Sequence, residues 1–179
     1  MKKLTILLVL ILASFITFSQ SNAVKLNPLS LFVATGNLSY ERVVSEKGSV
    51  QLGFFYSGIK VQTFRFSGWG ITPEYRFYIT STAPEGFYVA PYFRYSSFSI
   101  TESSIDPPSK ASIAVMSGGA VVGWQFVIKE KMTLEGFIGP KLSTISSFNV
   151  QSGNLTVDEI PAFGGGFGVR AGMNIGFAF

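Results

Sequence analysis

The sequence predicts an all-β chain, an eight-stranded antiparallel up-and-down transmembrane β-barrel preceded by a cleavable signal peptide. Three observations lead there. Apolar residues alternate with small or polar ones over long stretches. Aromatic residues make up 15% of the chain and charged residues only 13%. The connections between alternating stretches are by turns short and long. A soluble surface wants about 25–35% charged residues, so the surplus rings need surroundings other than water.

Alternation is cleanest at the end of the chain, residues 163–179. Phe163, Gly165, Phe167, Val169, Ala171, Met173, Ile175, Phe177 and Phe179 occupy one register. Gly164, Gly166, Gly168, Arg170, Gly172, Asn174, Gly176 and Ala178 occupy the other. A period of two sustained this long means an extended strand with one apolar and one small or polar face. Strands of soluble proteins run about five or six residues, which is too short for this one.

At the other end, Lys2 and Lys3 precede an apolar run over residues 4–18, and Ser21-Asn22-Ala23 offers a small-x-small cleavage site. The apolar run falls short of the roughly 20 residues of a spanning helix. Residues 1–23 therefore read as a signal peptide and residues 24–179 as the barrel domain. Removal of the signal takes two of the four surplus positive charges with it. The remaining cations are scattered rather than gathered in a stripe, which argues against nucleic acid as a partner.

Between these ends the strands are expected at residues 25–34, 38–44, 50–57, 69–79, 87–96, 112–128 and 132–143. In the first, Leu29, Leu31 and Val33 share a face, and Pro28 is tolerable only near the start. Gly36-Asn37 reads as a turn. Residues 45–48, 80–85 and 129–131 make short polar connections, 101–110 and 146–161 are longer loops, and 59–65 is an intermediate loop or an extension of the flanking strands. Short turns on one side and longer loops on the other are what a transmembrane barrel shows. Residues 113–128 carry no charge, but they are short for a helical span, contain Gly118, Gly119 and Gly123, and alternate. They are expected as a strand. Six rings near strand ends, Phe77, Phe87, Trp124, Phe126, Phe177 and Phe179, gather beside the short turns, as an interfacial girdle would. Trp69 lies beside a longer loop.

The residues that could carry chemistry are few. No cysteine and no histidine is present, which excludes disulfides, thiolate metal sites and the usual base of nucleophilic catalysis. No cofactor or metal is expected. Residues 166–171 formally match the G-x-G-x-x-A dinucleotide fingerprint, yet that motif requires a helix starting at its glycines, and here the strand period runs through them. The glycines are expected to make room for inward bulk such as Tyr88, Tyr92 and Phe137. The inward register also carries Glu41, Glu74, Arg76, Arg94, Glu135, Lys141 and Arg170. Charges inside a small barrel need partners, because desolvating one alone costs several kcal/mol. These seven are expected to form a structural ion network filling the lumen. Arg94 and Arg170, well inside their strands, should each meet a carboxylate.

Five stretches together carry a resemblance: Tyr40-Glu41-Arg42, Pro73-Glu74-Tyr75-Arg76-Phe77-Tyr78, Gly86-Phe87-Tyr88-Val89-Ala90-Pro91-Tyr92, Gly136-Phe137-Ile138-Gly139-Pro140 and Phe167-Gly168-Val169-Arg170. The chain resembles a domain-of-unknown-function family of small Bacteroidota outer-membrane barrel proteins, in the general manner of OmpX, OmpW and the OmpA membrane domain. The resemblance implies location in the bacterial outer membrane and transfers no active site. It implies contact with outer-membrane lipid and lipopolysaccharide, and help from periplasmic chaperones and the barrel-assembly machinery. That machinery would read Phe177 and Phe179 as a C-terminal insertion signal. The expected role is non-enzymatic, either structural or in surface interaction, with an extracellular ligand reaching loops 101–110 and 146–161. The alternative is a narrow, OmpW-like channel for small or apolar molecules.

Overall fold

The computed structural model describes residues 22–61, 64–102, 109–152 and 165–179. Eight strands follow one another as β1 (Asn22–Leu26), β2 (Thr35–Ser45), β3 (Gly48–Val61), β4 (Phe64–Tyr78), β5 (Gly86–Glu102), β6 (Ser109–Ile128), β7 (Met132–Ser152) and β8 (Gly166–Ala178). Each pairs antiparallel with its neighbours, and β1 returns to β8 through Val24↔Phe177 and Leu26↔Ile175, so the sheet closes into a barrel. The seam is tied again past the strand end. Asn22 N donates to Phe179 O at 3.1 Å, and Phe179 N to Asn22 O at 2.9 Å.

Closure sorts the side chains. One register of each strand faces the lumen: Phe55, Tyr78, Tyr88 and Tyr92 are buried there, and Phe137 packs partly buried beside the tyrosines. The other register stays exposed and apolar, with Leu52, Phe54, Ile71, Phe93, Val122 and Ile138 around the wall. Phe77, Trp124, Phe126, Phe177 and Phe179 stand exposed at the rim of the short turns, and Trp124 packs against Phe87 and Phe126 with ring centroids 6.2 and 5.9 Å apart. An apolar band crowned by rings suits hydrocarbon meeting headgroups. Glycine opposes the largest inward rings, since a Cβ on Gly123 would collide with Tyr88, and one on Gly172 with Phe137.

The expected first strand is corrected. Residues 25–34 are not extended throughout: β1 ends at Leu26, and Pro28–Val33 form a 3-10 turn. Asn27 caps it, its Oδ1 accepting from Ser30 N at 3.1 Å. Pro28 then sits where a missing N–H is harmless. Gly36-Asn37 is likewise no turn, for both lie inside β2 opposite Tyr56 and Phe55. The β1–β2 connection is therefore the 3-10 turn itself.

Other strands outrun their expected limits on the side away from the short turns. β5 reaches Glu102, and β7 reaches Ser152, so the first part of the expected 146–161 loop is wall. Residues 103–108 and 153–161, the remainder of the two expected loops, lie outside the described residues, as do residues 163–164 of the expected last strand and residues 1–21 of the expected signal. Asn22 and Ala23 were expected to leave with that signal. Both stand in β1, and Ala23 is 1% exposed between Glu41 and Ala178. The G-x-G-x-x-A match lies within continuous strand β8.

Candidate functional site

Toward the short turns the lumen is filled by a charged cluster that the register assembles. Glu41, Gln51 and Glu74 are lateral neighbours on β2, β3 and β4, and Ser49 lies beside Arg76. Across the barrel, Gln125, Glu135 and Asn174 are neighbours on β6, β7 and β8. Arg76 bridges the two groups. Its Nε donates to Glu74 Oε1 at 2.8 Å, while its terminal nitrogens grip Glu135 in bidentate fashion at 2.8 and 2.9 Å. Such a fork on a carboxylate is among the stronger protein hydrogen-bond geometries.

Lys25 completes the cluster. Its Nζ lies 2.5 Å from Glu41 Oε2 and 2.6 Å from Glu135 Oε2, and it also donates to Gln125 Oε1 at 2.5 Å. On the opposite side Arg170 Nη1 donates to Glu74 Oε2 at 2.7 Å. Hydroxyls take what remains: Tyr78 donates to Glu41 Oε1 at 2.7 Å, Tyr88 to Glu135 Oε1 at 2.8 Å, and Ser49 to Glu41 Oε1. Every carboxylate oxygen of Glu41, Glu74 and Glu135 is thereby occupied. The three acids match Lys25, Arg76 and Arg170, and the cluster is neutral.

Of the seven inward charges expected from the sequence, Glu41, Glu74, Arg76, Glu135 and Arg170 meet in this cluster. Arg94 and Lys141 do not. Arg94 makes no ion pair among the described residues; it donates Nε to Thr72 Oγ1 at 2.9 Å and lies over the Phe55 ring at 5.3 Å. The expectation that it meets a carboxylate is corrected among the described residues, because its neighbours on β4 and β6 are Thr72 and Ser117 and none of those residues brings an inward acid to its level. Lys141 lies next to Gly168, only partly buried, with no ion pair among the described residues. Sequence reasoning missed Lys25, the most buried cation beside Arg76. The signal was available: Val24 and Leu26 as outward apolar residues put Ala23 and Lys25 inside.

Away from the short turns the lumen opens into a cavity of about 580 Å³. Its walls include Gln51, Phe55, Thr72, Arg94, Phe137 and Arg170, and the 3-10 turn borders it through Asn27, Leu29 and Val33. Arg170 stands on the boundary. Its guanidinium lies over Tyr92 at 4.2 Å and Phe137 at 4.8 Å, and its buried Nε has no partner among the described residues. Gln51 Oε1 is likewise buried without a partner.

What this arrangement does chemically is satisfy its own charges. A proton or cation crossing the lumen would have to separate buried, mutually satisfied pairs, at several kcal/mol for each charge left alone. The carboxylates offer no oxygen to a metal, and no group of three potential ligands stands ready for one among the described residues.

Comparison with known proteins agrees with the fold. A family model described as "Protein of unknown function (DUF3575)" matches residues 4–150. No curated protein matches the sequence. Among solved structures, the N-terminal β-barrel domain of Pseudomonas aeruginosa OprF is similar over 90% of this chain and 98% of its own, at 13% identity and a TM-score of 0.51. A major outer membrane protein from Thermus thermophilus is similar over 89% of this chain and 100% of its own, at 14% identity and a TM-score of 0.51. The fold is that of outer-membrane eight-stranded barrels.

Proposed function

The chain belongs to the DUF3575 family of proteins of unknown function, and from that footing we propose that it is a non-enzymatic integral protein of the bacterial outer membrane whose barrel is closed to ions. The single observation behind this reading is the saturated cluster: three acids and three bases, buried together across the lumen. An apolar outer face and a rim of rings support a place in lipid. The role that follows is structural or in surface interaction, through the long connections opposite the short turns. Outer-membrane lipid and lipopolysaccharide are its surroundings, and periplasmic chaperones and the barrel-assembly machinery its partners in insertion, with Phe177 and Phe179 as the signal they read.

A signal peptide brings the chain there. Cleavage falls before Asn22 rather than after Ala23 in this reading, since a barrel without Asn22 would lose the two backbone bonds that tie it to Phe179. The alternative, a narrow channel, draws on the cavity beside Arg94, but a through path would still have to cross the cluster.

One preparation tests the reading. The full chain, expressed in a bacterium with an outer membrane, should fractionate with that membrane and begin at Asn22 by mass spectrometry. In a planar lipid bilayer it should show no steady conductance. Reproducible open-channel steps would put the channel first, and recovery as soluble periplasmic protein would remove the membrane reading altogether.

A further inference from the structure

We propose that the cavity away from the short turns binds a single-chain amphiphile with an anionic head, a long-chain carboxylate being the simplest. It would enter sideways, through a notch in the wall between β8 and β2. The proposal rests on the barrel lying in a bilayer and is independent of whether it conducts.

The notch follows from unequal strands. β1 has 5 residues, while β8 has 13 and β2 has 11. The last rungs of β1 are Leu26↔Leu38 and Leu26↔Ile175, so Gly166–Asn174 of β8 have no strand on that edge among the described residues. The 3-10 turn stands in the gap, packed against β2 and β8. None of its residues is buried, and Leu29, Leu31, Phe32 and Val33 are all exposed, Phe32 to 87%. Irregular backbone at membrane depth is tolerated where it lines a cavity. A short turn carrying four exposed apolar side chains suits a lipid-facing sill, across which an alkyl chain can lie.

Behind the sill the cavity is amphipathic. Phe55, Phe137, Leu29 and Val33 offer apolar surface, and its volume of about 580 Å³ is in the ordinary range for small-molecule sites, roughly 300–1,000 Å³. The polar end is electrically unbalanced. The cluster below is neutral, so Arg94 adds a positive charge that no acid among the described residues offsets. Arg170 presents a buried Nε–H with no acceptor among the described residues, whereas the open atom of Gln51 is its Oε1, an acceptor that would take a hydroxyl or water proton rather than an anion. Buried polar groups left open cost stability in a finished core. Here two guanidinium groups line one cavity, Arg94 with no carboxylate partner among the described residues and Arg170 with its Nε–H still open beside its pair with Glu74, and an anionic oxygen would serve both. A guanidinium meets a carboxylate with matching planar geometry.

The test uses the full chain refolded in a neutral maltoside detergent, titrated calorimetrically with hexadecanoate, hexadecanol and acetate at a pH where the acids are ionised. Hexadecanoate should bind one-to-one, about tenfold or more tighter than hexadecanol, as one lost charge-assisted hydrogen bond would give. Acetate should not bind measurably. Arg94→Gln should weaken hexadecanoate by about tenfold and leave hexadecanol alone. Arg94→Lys should retain part of the preference, and Lys141→Gln, which lies off the cavity, should change nothing. Equal binding of the alcohol and the acid would reduce the site to partition into an apolar gap and overturn the proposal. Acetate binding as tightly as hexadecanoate would do the same, leaving a free-anion site, and so would an Arg94→Gln protein that binds like the parent.

Discussion

The two halves of the lumen use the same side chains to opposite ends. Near the short turns, Arg76 and Lys25 are wholly enclosed, yet each finds carboxylate oxygens within 2.9 Å. Beyond Arg170, Arg94 is only half-buried and finds a hydroxyl and a ring. The difference lies in the acids. Glu41, Glu74 and Glu135 sit on three separate strands, but the register and stagger bring all three to one level. Among the described residues no inward acid stands at the level of Arg94. A matched set of charges fills space; an unmatched one leaves a cavity with a sign.

The largest expected effect tests the sealed half. Glu135 accepts from Lys25, Arg76, Tyr88 and Asn174. Glu135→Ala would leave two buried cations short of a partner, and breaking such a set costs about 3–5 kcal/mol. Urea unfolding from lipid vesicles should show a loss of that size. A loss below about 1 kcal/mol, the worth of an exposed pair, would mean that water replaces the carboxylate freely and that the cluster does not seal.

How the two halves could be read from the sequence differs as well. The alternation placed the inward register of β4, β5, β7 and β8 correctly, because a period of two is a property of each strand alone. It placed Glu74, Arg76, Arg94, Glu135 and Arg170 inside without any knowledge of neighbours. Which charge meets which depends on stagger between strands, and nothing local encodes that. Arg94 and Arg170 therefore looked alike, each central in a strand, and only the register separates them. Lys25 was lost for a different reason. Reading residues 25–34 as one strand put Lys25 in step with Leu29 and Leu31, on the outside. The Asn27-Pro28 pair, a cap followed by a residue preset for a helical first turn, marked a break there, and a register does not survive a break.

A second, intermediate effect is expected at the boundary. Arg170→Ala removes one ion-paired hydrogen bond to Glu74 and the stacking on Tyr92 and Phe137. Glu74 keeps Arg76 at 2.8 Å, so no acid is left alone. The loss should be about 1.5–3 kcal/mol, the range for hydrogen bonds to charged groups, and smaller than for Glu135→Ala in the same urea series. If the two losses were equal, Glu74 would depend on Arg170 as much as Glu135 does on Arg76, and the line between sealed and open halves would move outward past Arg170.

The smallest effect should come from Arg94, which makes no ion pair among the described residues. Arg94 is held by one hydrogen bond to Thr72, worth about 1 kcal/mol, and by its place over Phe55, worth about 0.5–2 kcal/mol. Against these stands the cost of keeping a half-buried guanidinium partly out of water with no acid opposite among the described residues, a fraction of the several kcal/mol that full burial would cost. Replacing such a group by an apolar one of similar length is often neutral or stabilising. Arg94→Leu should therefore leave the unfolding midpoint in vesicles of neutral lipid unchanged within about 1 kcal/mol, or raise it. In vesicles supplemented with hexadecanoate the parent should gain stability and the variant should not, because a ligand that binds only the folded barrel stabilises it by mass action. A fall as deep as that of Glu135→Ala in neutral lipid would show that Arg94 belongs to the structural network after all. The two halves would then be one continuous core, and the cavity an unfilled corner of it.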